Sequence, residues 1–315
     1  MTKINFEGQV VIVTGAGGGL GKVIAQDIAR RGGTVVANDL GGSVTGEGSE
    51  TSASYADQVV DAICAKGGCA VASYDDVATA AGAARVVEAA MDHFGRVDAV
   101  IANAGTMRYG DFESLTLDDL NALFAVHVGG SWNIAQAAWP IMKRQGYGRV
   151  VFATSSGGML GNARLSAYGA AKGGVMGLMH GLAEAGAPLG ILCNAYMPNA
   201  YSRMTADISP GDLGDNPWAR ALGPYFDPAH AVGLVTYLAS DACRTHHGIY
   251  SALGGRIGRA FVGITDGFMS DTPPTAETVA EYWPALCDPA LGYTIPKDNS
   301  DEWRIVADQR GITLD

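Results

Sequence analysis

Tyr168 and Lys172 lie four residues apart at the start of an apolar stretch, Ala167 to Ala185, whose Val175, Leu178, Met179 and Leu182 recur at helical spacing. Residues four apart share one face of a helix. The pairing has a chemical use. A free tyrosine has a pKa of about 10 and is a poor base near neutrality. A cation one turn away favours the phenolate, and lowering that pKa by roughly 2 units corresponds to about 2.7 kcal/mol. Upstream, Val150 to Ala153 reads as a buried strand ending in Thr154, Ser155 and Ser156. A serine hydroxyl brought beside the tyrosine can hold the oxygen of a substrate alcohol or ketone. A Tyr–Lys pair at this spacing also occurs on ordinary surface helices, so the surrounding elements must decide.

Gln9 to Thr14 is a β-branched run of the kind found in buried parallel strands. It enters Gly15-Ala-Gly-Gly-Gly19-Leu20-Gly21, followed by a helical stretch from Lys22 to Arg31 and a strand, Thr34 to Asn38, that ends at Asp39. In this strand–loop–helix–strand context Gly15 permits a tight turn. Gly19, Leu20 and Gly21 present backbone amides and a helix N-terminus to a pyrophosphate. Asp39 follows Gly21 by 18 residues, near the spacing of an acid that bonds the adenosine ribose hydroxyls. An acid there repels a 2′-phosphate and no Arg or Lys follows closely, which favours NAD over NADP.

The alternation continues. Gly41 to Ser54 reads as a loop within the domain, Tyr55 to Lys66 as a helix, and Cys69 to Tyr74 as a third strand ending in Asp75-Asp76-Val77. Asp76 could meet an adenine amino group or cap the following helix. Val97 to Ala102 is a fourth strand, stopped by Asn103-Ala104-Gly105. Leu115 to Arg144 is helical, with breaks expected near Gly129-Gly130 and Pro140. Gly148 to Ser155, Ile191 to Tyr196 (ending at Pro198) and Ile249 to Leu253 complete seven strands, with a helix from Ala229 to Ser240. This pattern implies an α/β, Rossmann-like, doubly wound parallel sheet of seven strands with helices on both faces. Ligands on such sheets bind at the carboxyl ends of the strands. The glycine loop, Asp39, Asp76, Asn103, Ser155 and Pro198 each follow a strand and should fall along one edge. From Thr272 the chain becomes rich in proline and aromatic residues. We therefore divide it into a dinucleotide-binding domain, residues 1–271, and an extension, residues 272–315, packed on that domain or on a partner subunit.

Composition excludes other classes. The 315 residues carry a formal charge of −11 with no basic run, which argues against a nucleic-acid binder. The N-terminal segment lacks the apolar core of a secretory signal, and no stretch of 18 apolar residues occurs. The last three residues, Thr-Leu-Asp, are not a peroxisomal S-K-L address. Five cysteines without C-x-x-C spacing fit reduced thiols in a cytoplasmic protein. No Cys/His cluster has zinc spacing, and adjacent His246 and His247 would point to opposite faces of a strand, so no metal is expected.

Together these residues resemble the short-chain dehydrogenase/reductase family. Its TGxxxGxG is met by Thr14 to Gly21, its NAG by Asn103 to Gly105, and its Ser thirteen before YxxxK by Ser155, Tyr168 and Lys172. NDLGG at Asn38 to Gly42, AVHVGGS at Ala125 to Ser131, PNAYSRMT at Pro198 to Thr205 and AEYWPALCD at Ala280 to Asp288 resemble the dehydrogenase unit of the peroxisomal multifunctional type 2 enzymes. The resemblance implies that Tyr168 is the general acid/base, that Lys172 lowers its pKa and holds the nicotinamide ribose, and that Ser155 positions the substrate oxygen. Asp76, Val77, Asn103, Ala104, Gly105 and Pro198 join the cofactor contacts. His127 occupies a position where most of the family has an Asn in a proton relay. As a histidine it would titrate near neutrality, and it could equally be a core residue. The resemblance also implies a homodimer or homotetramer and a (3R)-3-hydroxyacyl-CoA substrate. Tyr201 stands where that subfamily has a glycine, which places an aromatic ring at the substrate mouth. The apolar segment Asn199 to Pro224 reads as a lid that suits a steroid or aryl alcohol instead. A thioester would recruit cations, for which Arg108, Arg149 and Arg203 are candidates by position. A dinucleotide-binding sensor without turnover is the rival from another class; it would keep the glycine loop and lose Ser155, Tyr168 and Lys172.

Overall fold

The structure, a computed structural model, describes residues 3–42, 54–199 and 221–313. It divides into two compact units, Met1–Arg259 and Ala260–Asp315, whereas composition alone changes character near Thr272. In the first unit the strands are β1 (Val10–Thr14), β2 (Thr34–Asn38), β3 (Cys69–Ser73), β4 (Ala99–Ala102), β5 (Gly148–Ala153), β6 (Ile191–Asn199), β7 (Gly248–Leu253) and β8 (Arg256–Ala260). The helices are α1 (Gly19–Arg30), α2 (Ser54–Cys64), α3 (Ala80–Phe94), α4 (Leu117–Phe124), α5 (Gly130–Gln145), α6 (Ser156–Met159), α7 (Ser166–Gly186) and α8 (Ala229–Ala239).

Among the described residues eight strands form one sheet in the order β3-β2-β1-β4-β5-β6-β7-β8. The pairs from β3 through β7 are parallel. The expected count of seven strands is thereby corrected to eight. The extra strand follows β7 after Gly254-Gly255, whose φ angles are 57° and 85°. Two residues with positive φ make a hairpin turn, and so short a connection can join only antiparallel strands. The glycine pair directly after the apolar run of β7 was the readable signal.

Helix α1 packs on α2 and α8 on one face of the sheet; α3 packs on α5, and α7 on α4, on the other. Every residue of β1, β4 and β5 is buried, as both-faces burial of a parallel strand requires. Each such Val or Ile contributes about 1.5–3 kcal/mol. Strand order reverses between the parallel neighbours β1 and β4, which opens a crevice at their carboxyl ends.

The segment from Leu117 to Gln145 corrects a second expectation. It is not broken at Gly129-Gly130 or at Pro140. A capping box between Thr116 and Asp119 starts α4. A π-helical turn, Ala125–Gly129, then joins α4 to α5 without interruption. Gly130 is glycine for packing: a Cβ there would meet Val77 Cγ2 at 3.1 Å. Pro140 lies on the exposed side of α5, where water can take the carbonyl that its missing N–H leaves unbonded.

The second unit holds helices α9 (Ala276–Leu286) and α10 (Ser300–Gln309) and a two-stranded antiparallel ladder of β9 (Ile264–Thr265) and β10 (Tyr293–Thr294). Phe268 stacks on Tyr282 with ring centres 4.6 Å apart, and Thr265 Oγ1 donates to the Leu286 carbonyl at 2.8 Å.

Candidate active site

Ser155 follows β5 and caps the one-turn helix α6, its Oγ accepting from Gly157 N at 3.1 Å. Gly158 lets α6 lie directly on α7, since a Cβ there would stand 2.8 Å from Lys172 Cβ. Tyr168 sits in the first turn of α7, and its hydroxyl is hydrogen-bonded to the Ser155 side chain. Lys172, one turn on, is 4% exposed and donates from Nζ to the Ala153 carbonyl at 2.7 Å. Thr154 Oγ1 donates to the Lys172 carbonyl at 2.9 Å and ties β5 to α7. Ser155, Tyr168 and Lys172 are thus brought together at the carboxyl end of β5.

Their electrostatics differ from the sequence expectation. Burial pushes the Tyr168 phenol up to about 12, and the Ser155 hydrogen bond pulls the other way. Burial alone takes Lys172 down to about 7. The Ser155 hydrogen bond lowers the tyrosine, and the Lys172 ammonium stands 5.7 Å from the Tyr168 ring centre. The reason is physical: both groups are removed from water, which penalises whichever form is charged.

The glycine loop is locked to β4. Thr14 Oγ1 accepts from Asn103 N and Ala104 N, each at 3.0 Å. Asn103 Nδ2 donates to the Thr14 carbonyl at 3.0 Å, and its Oδ1 accepts from the Tyr196 hydroxyl at 2.9 Å. Gly15 takes φ of 64° and lies so close that a Cβ would meet Ala104 Cα at 2.9 Å; a Cβ on Gly21 would meet the Gly15 carbonyl at 2.1 Å. Gly19 also has positive φ, 49°. Asp39 accepts from Gly17 N and Gly41 N, each at 2.8 Å, which sets its carboxylate at the loop. Gly17 was not singled out from the sequence, yet a Cβ on it would lie 2.7 Å from Asp39 Oδ2. The start of α1, with Leu20 in its first turn, has no side-chain cap and no acid. Its leading N–H groups are available to an anion. An uncapped helix end, a glycine cradle and a buried carboxylate suit the pyrophosphate and ribose of a dinucleotide.

Asp76 Oδ1 accepts from Ala78 N at 2.9 Å, while Thr79 caps α3. Buried Val77 packs on Gly130, and its carbonyl accepts from Asn133 at 3.0 Å. Pro198 lies near the end of β6, paired with Ala252. Around Tyr168, Leu123, Leu165, Ala167 and Ala171 form an apolar cluster with Met107, Tyr109, Leu115 and Leu120 packed against it.

His127 lies in the π-helical turn, 1% exposed, with its ring edge-on to Tyr168 at 5.4 Å between centres. Gly105 packs against it, where a Cβ would stand 2.5 Å from its Cε1. Burial, with Lys172 adding repulsion, holds its pKa well below the ordinary value. It therefore does not titrate near neutrality, as the sequence had suggested. Its partner Thr106 was missed because nothing in the motif marks it.

Arg149 is not at the mouth. It stands at the amino end of β5, buried, stacked over Tyr147 and bonded to the carbonyls of Gly148, Ser240 and Cys243. Arg108 precedes Tyr109 and pairs with Asp119 at 3.3 Å. Tyr201, Arg203 and most of the segment read as a lid, Asn199 to Pro224 (all but residues 199 and 221–224), lie outside the described residues. Among the described residues no three His, Cys, Asp or Glu side chains could hold a metal ion, and no helix is long and apolar enough to cross a membrane.

The family described as short chain dehydrogenase matches residues 9–211. A short-chain type dehydrogenase/reductase of Mycobacterium tuberculosis is 41% identical over 89% of this chain and 94% of its own length. The peroxisomal multifunctional enzyme type 2 of Mus musculus is 40% identical over 90% of this chain, which spans 37% of that longer protein. In structure, the full-length peroxisomal multifunctional enzyme type 2 of Drosophila melanogaster superposes with a TM-score of 0.77 at 28% identity, over 97% of this chain and 50% of that one. A short chain dehydrogenase from Mycobacterium avium gives 0.73 at 30% identity, over 89% and 94%. Its motifs, its doubly wound sheet and these likenesses agree: the chain belongs to the short-chain dehydrogenase family and is an oxidoreductase of CH–OH groups.

Proposed function

We propose that the chain is an NAD-dependent dehydrogenase that interconverts a secondary alcohol and a ketone, with a (3R)-3-hydroxyacyl-CoA as its substrate. The observation that carries the reaction is the meeting of Ser155, Tyr168 and Lys172 beside the crevice at the carboxyl ends of β1 and β4. In this reading Gly15, Gly19, Leu20, Gly21, Asn103, Ala104 and Gly105 hold the dinucleotide phosphates and ribose, and Asp39 selects a free 2′-hydroxyl. Asp76, Val77 and Pro198 line the remainder of that site. When bound, the dinucleotide supplies the hydride acceptor.

The chain's own groups manage the oxygen and its proton. Ser155 Oγ and the Tyr168 hydroxyl hold the substrate oxygen between them. Tyr168 takes the alcohol proton as the C–O bond becomes C=O, and returns it in the reverse direction. Lys172 keeps the tyrosinate accessible by charge. The apolar cluster of Leu123, Leu165 and their neighbours excludes water from the reacting carbon.

The thioester follows from the likeness to the multifunctional enzymes. A second reading, a hydroxysteroid or aryl alcohol, is favoured by one observation: the wall beside Tyr168 is apolar, and Arg149 is withdrawn from it. The test is the initial rate of NAD reduction with (3R)-hydroxyacyl-CoA thioesters, 17β-hydroxysteroids and aryl alcohols, each repeated with NADP. Faster turnover of the thioesters with NAD supports the first reading. Faster turnover of the steroids or aryl alcohols replaces it with the second. No turnover of any alcohol by a chain that binds NAD would make it a sensor. We also expect a homodimer or homotetramer, which sedimentation will read, and a cytoplasmic location in keeping with five free cysteines.

A further inference from the structure

Two loops at the carboxyl edge of the sheet form a rim beside Tyr168. The first, between β4 and α4, carries Met107, Tyr109 and Leu115, which pack against the cluster of Leu165, Ala167 and Tyr168. The second runs from α6 into α7 and carries Arg164, four residues before Tyr168. Backbone pins the loops together, with Gly110 N donating to the Arg164 carbonyl at 3.2 Å. Asn162 Oδ1 accepts from Arg164 N at 3.1 Å and fixes the turn that leads into α7. Leu165 is buried in the Tyr168 cluster, whereas the Arg164 side chain is 37% exposed. Its Nε stands 3.5 Å from Oδ1 of Asp111 on the first loop, and the Asp111 side chain is 72% exposed. An ion pair so long and so open to water is weak and exchanges readily with another anion. Arg108 differs. Its side chain is 14% exposed and is bonded to Asp119 and to the Met107 carbonyl.

We propose that Arg164 determines specificity at the substrate mouth: it exchanges Asp111 for the phosphate groups of a coenzyme A thioester while the acyl end lies along the apolar wall at Tyr168. This rests on the thioester reading given above. The surface is divided as the ligand is divided. A CoA thioester carries its acyl chain and reacting carbon at one end and, beyond a long flexible arm, its phosphates at the other. The wall of Leu120, Leu123 and Leu165 suits the first, and a cation on the rim of that wall suits the second. A planar guanidinium meets a phosphate with paired N–H donors, a stronger match than one long contact with Asp111. A local cation is needed here because the formal charge of −11 on the whole chain repels a polyanionic ligand. Arg149 does not supply it, being held among carbonyls at the amino end of β5.

Two substrates separate the phosphates from the chemistry. One is a (3R)-hydroxyacyl-CoA; the other is the same acyl group on N-acetylcysteamine, which keeps the thioester and lacks the phosphates. In Arg164→Gln the KM for the CoA thioester should rise about tenfold or more, while its kcat and the KM for the N-acetylcysteamine thioester stay within about threefold of wild type. Asp111→Asn removes the competing carboxylate and should lower the KM for the CoA thioester by about two- to threefold, again leaving the N-acetylcysteamine thioester alone. A KM that rises equally for both thioesters in Arg164→Gln, or that does not rise for the CoA thioester, would overturn the proposal. Should the variants fail to fold, the wild-type chain decides. Its KM for the CoA thioester must rise with ionic strength while that for the N-acetylcysteamine thioester stays flat, and a salt-independent KM for the CoA thioester is incompatible with the role. A wild-type chain that oxidises neither thioester refutes the substrate reading itself and Arg164 with it. Turnover of both with no distinction by Arg164→Gln refutes Arg164 alone.

Discussion

The Lys172 ammonium stands 5.7 Å from the centre of the Tyr168 ring and gives its 2.7 Å hydrogen bond to the carbonyl of Ala153 instead of the phenol. With the phenol at about 12 and the amine at about 7, the first proton to leave the pair as pH rises comes from the lysine. The pair titrates as a unit, and losing that proton creates the state from which tyrosinate and ammonium can be drawn by internal transfer. Oxidation of the alcohol should therefore accelerate as pH rises through about 7. Ketone reduction, which needs the pair to carry the proton, should decline over the same interval. Rates in both directions between pH 5 and 10 check this; an oxidation rate flat across that window contradicts it.

Tyr168→Phe removes the hydroxyl that carries the proton while preserving the ring that His127 meets edge-on. Loss of a positioned acid/base costs about 10²–10⁴ in rate, and kcat should fall by that order. NAD affinity, read by fluorescence titration, should change little, since the glycine loop and Asp39 are untouched. An unchanged kcat would remove Tyr168 from the chemistry.

Gly17→Ala tests the cofactor site where the sequence was silent. Its Cβ would lie 2.7 Å from both Asp39 Oδ2 and Tyr55 Cβ, so the carboxylate must shift off the Gly17 amide. The KM for NAD should rise about tenfold or more, with kcat at saturating NAD within about threefold of wild type. An unaltered KM would mean that Asp39 does not need this placement.

The sheet, the motif positions and the convergence along one edge were legible because strand and helix periods, glycine punctuation and the carboxyl-edge rule are local or topological. What escaped was set by three-dimensional surroundings. Spacing alone does not reveal that Tyr168 and Lys172 are both buried, so the direction of the Tyr168 shift was misjudged. The π-helical turn at His127 has no sequence period of its own, and Thr106 lies in no motif. Arg149 looked available because it is charged; its place at the amino end of β5 puts it among carbonyls.

Arg149→Met follows from that correction. The guanidinium serves the carbonyls of Ser240 and Cys243, near the end of α8, and that of Gly148, and it covers the Tyr147 ring. Removing it strands buried acceptors, which costs about 2–4 kcal/mol. For a chain of this size that corresponds to a Tm lower by roughly 3–6 °C. KM for a thioester should stay unchanged at temperatures where the variant is folded. A raised KM with an unchanged Tm would return Arg149 to the substrate.

His180 on α7 meets His247 with ring centres 4.5 Å apart, and His246 lies 6.1 Å from His247. His247 Nδ1 is 3.2 Å from Glu184, and Nδ1 of both His180 and His246 is buried without a partner among the described residues. Burial lowers the pKa of His180 and of His246, the neighbouring His247 adds to the effect, and Glu184 opposes it. The sign follows from linkage. Groups with a lowered folded pKa bind more protons when unfolded, so stability is intact above about 6.5 and is lost as pH falls below it. Tm measured from pH 8 to pH 5 should decline below that value, and His180→Gln should flatten the decline without shifting the activity profile. A His180→Gln variant whose Tm still falls as steeply as wild type would show that this cluster is not the source.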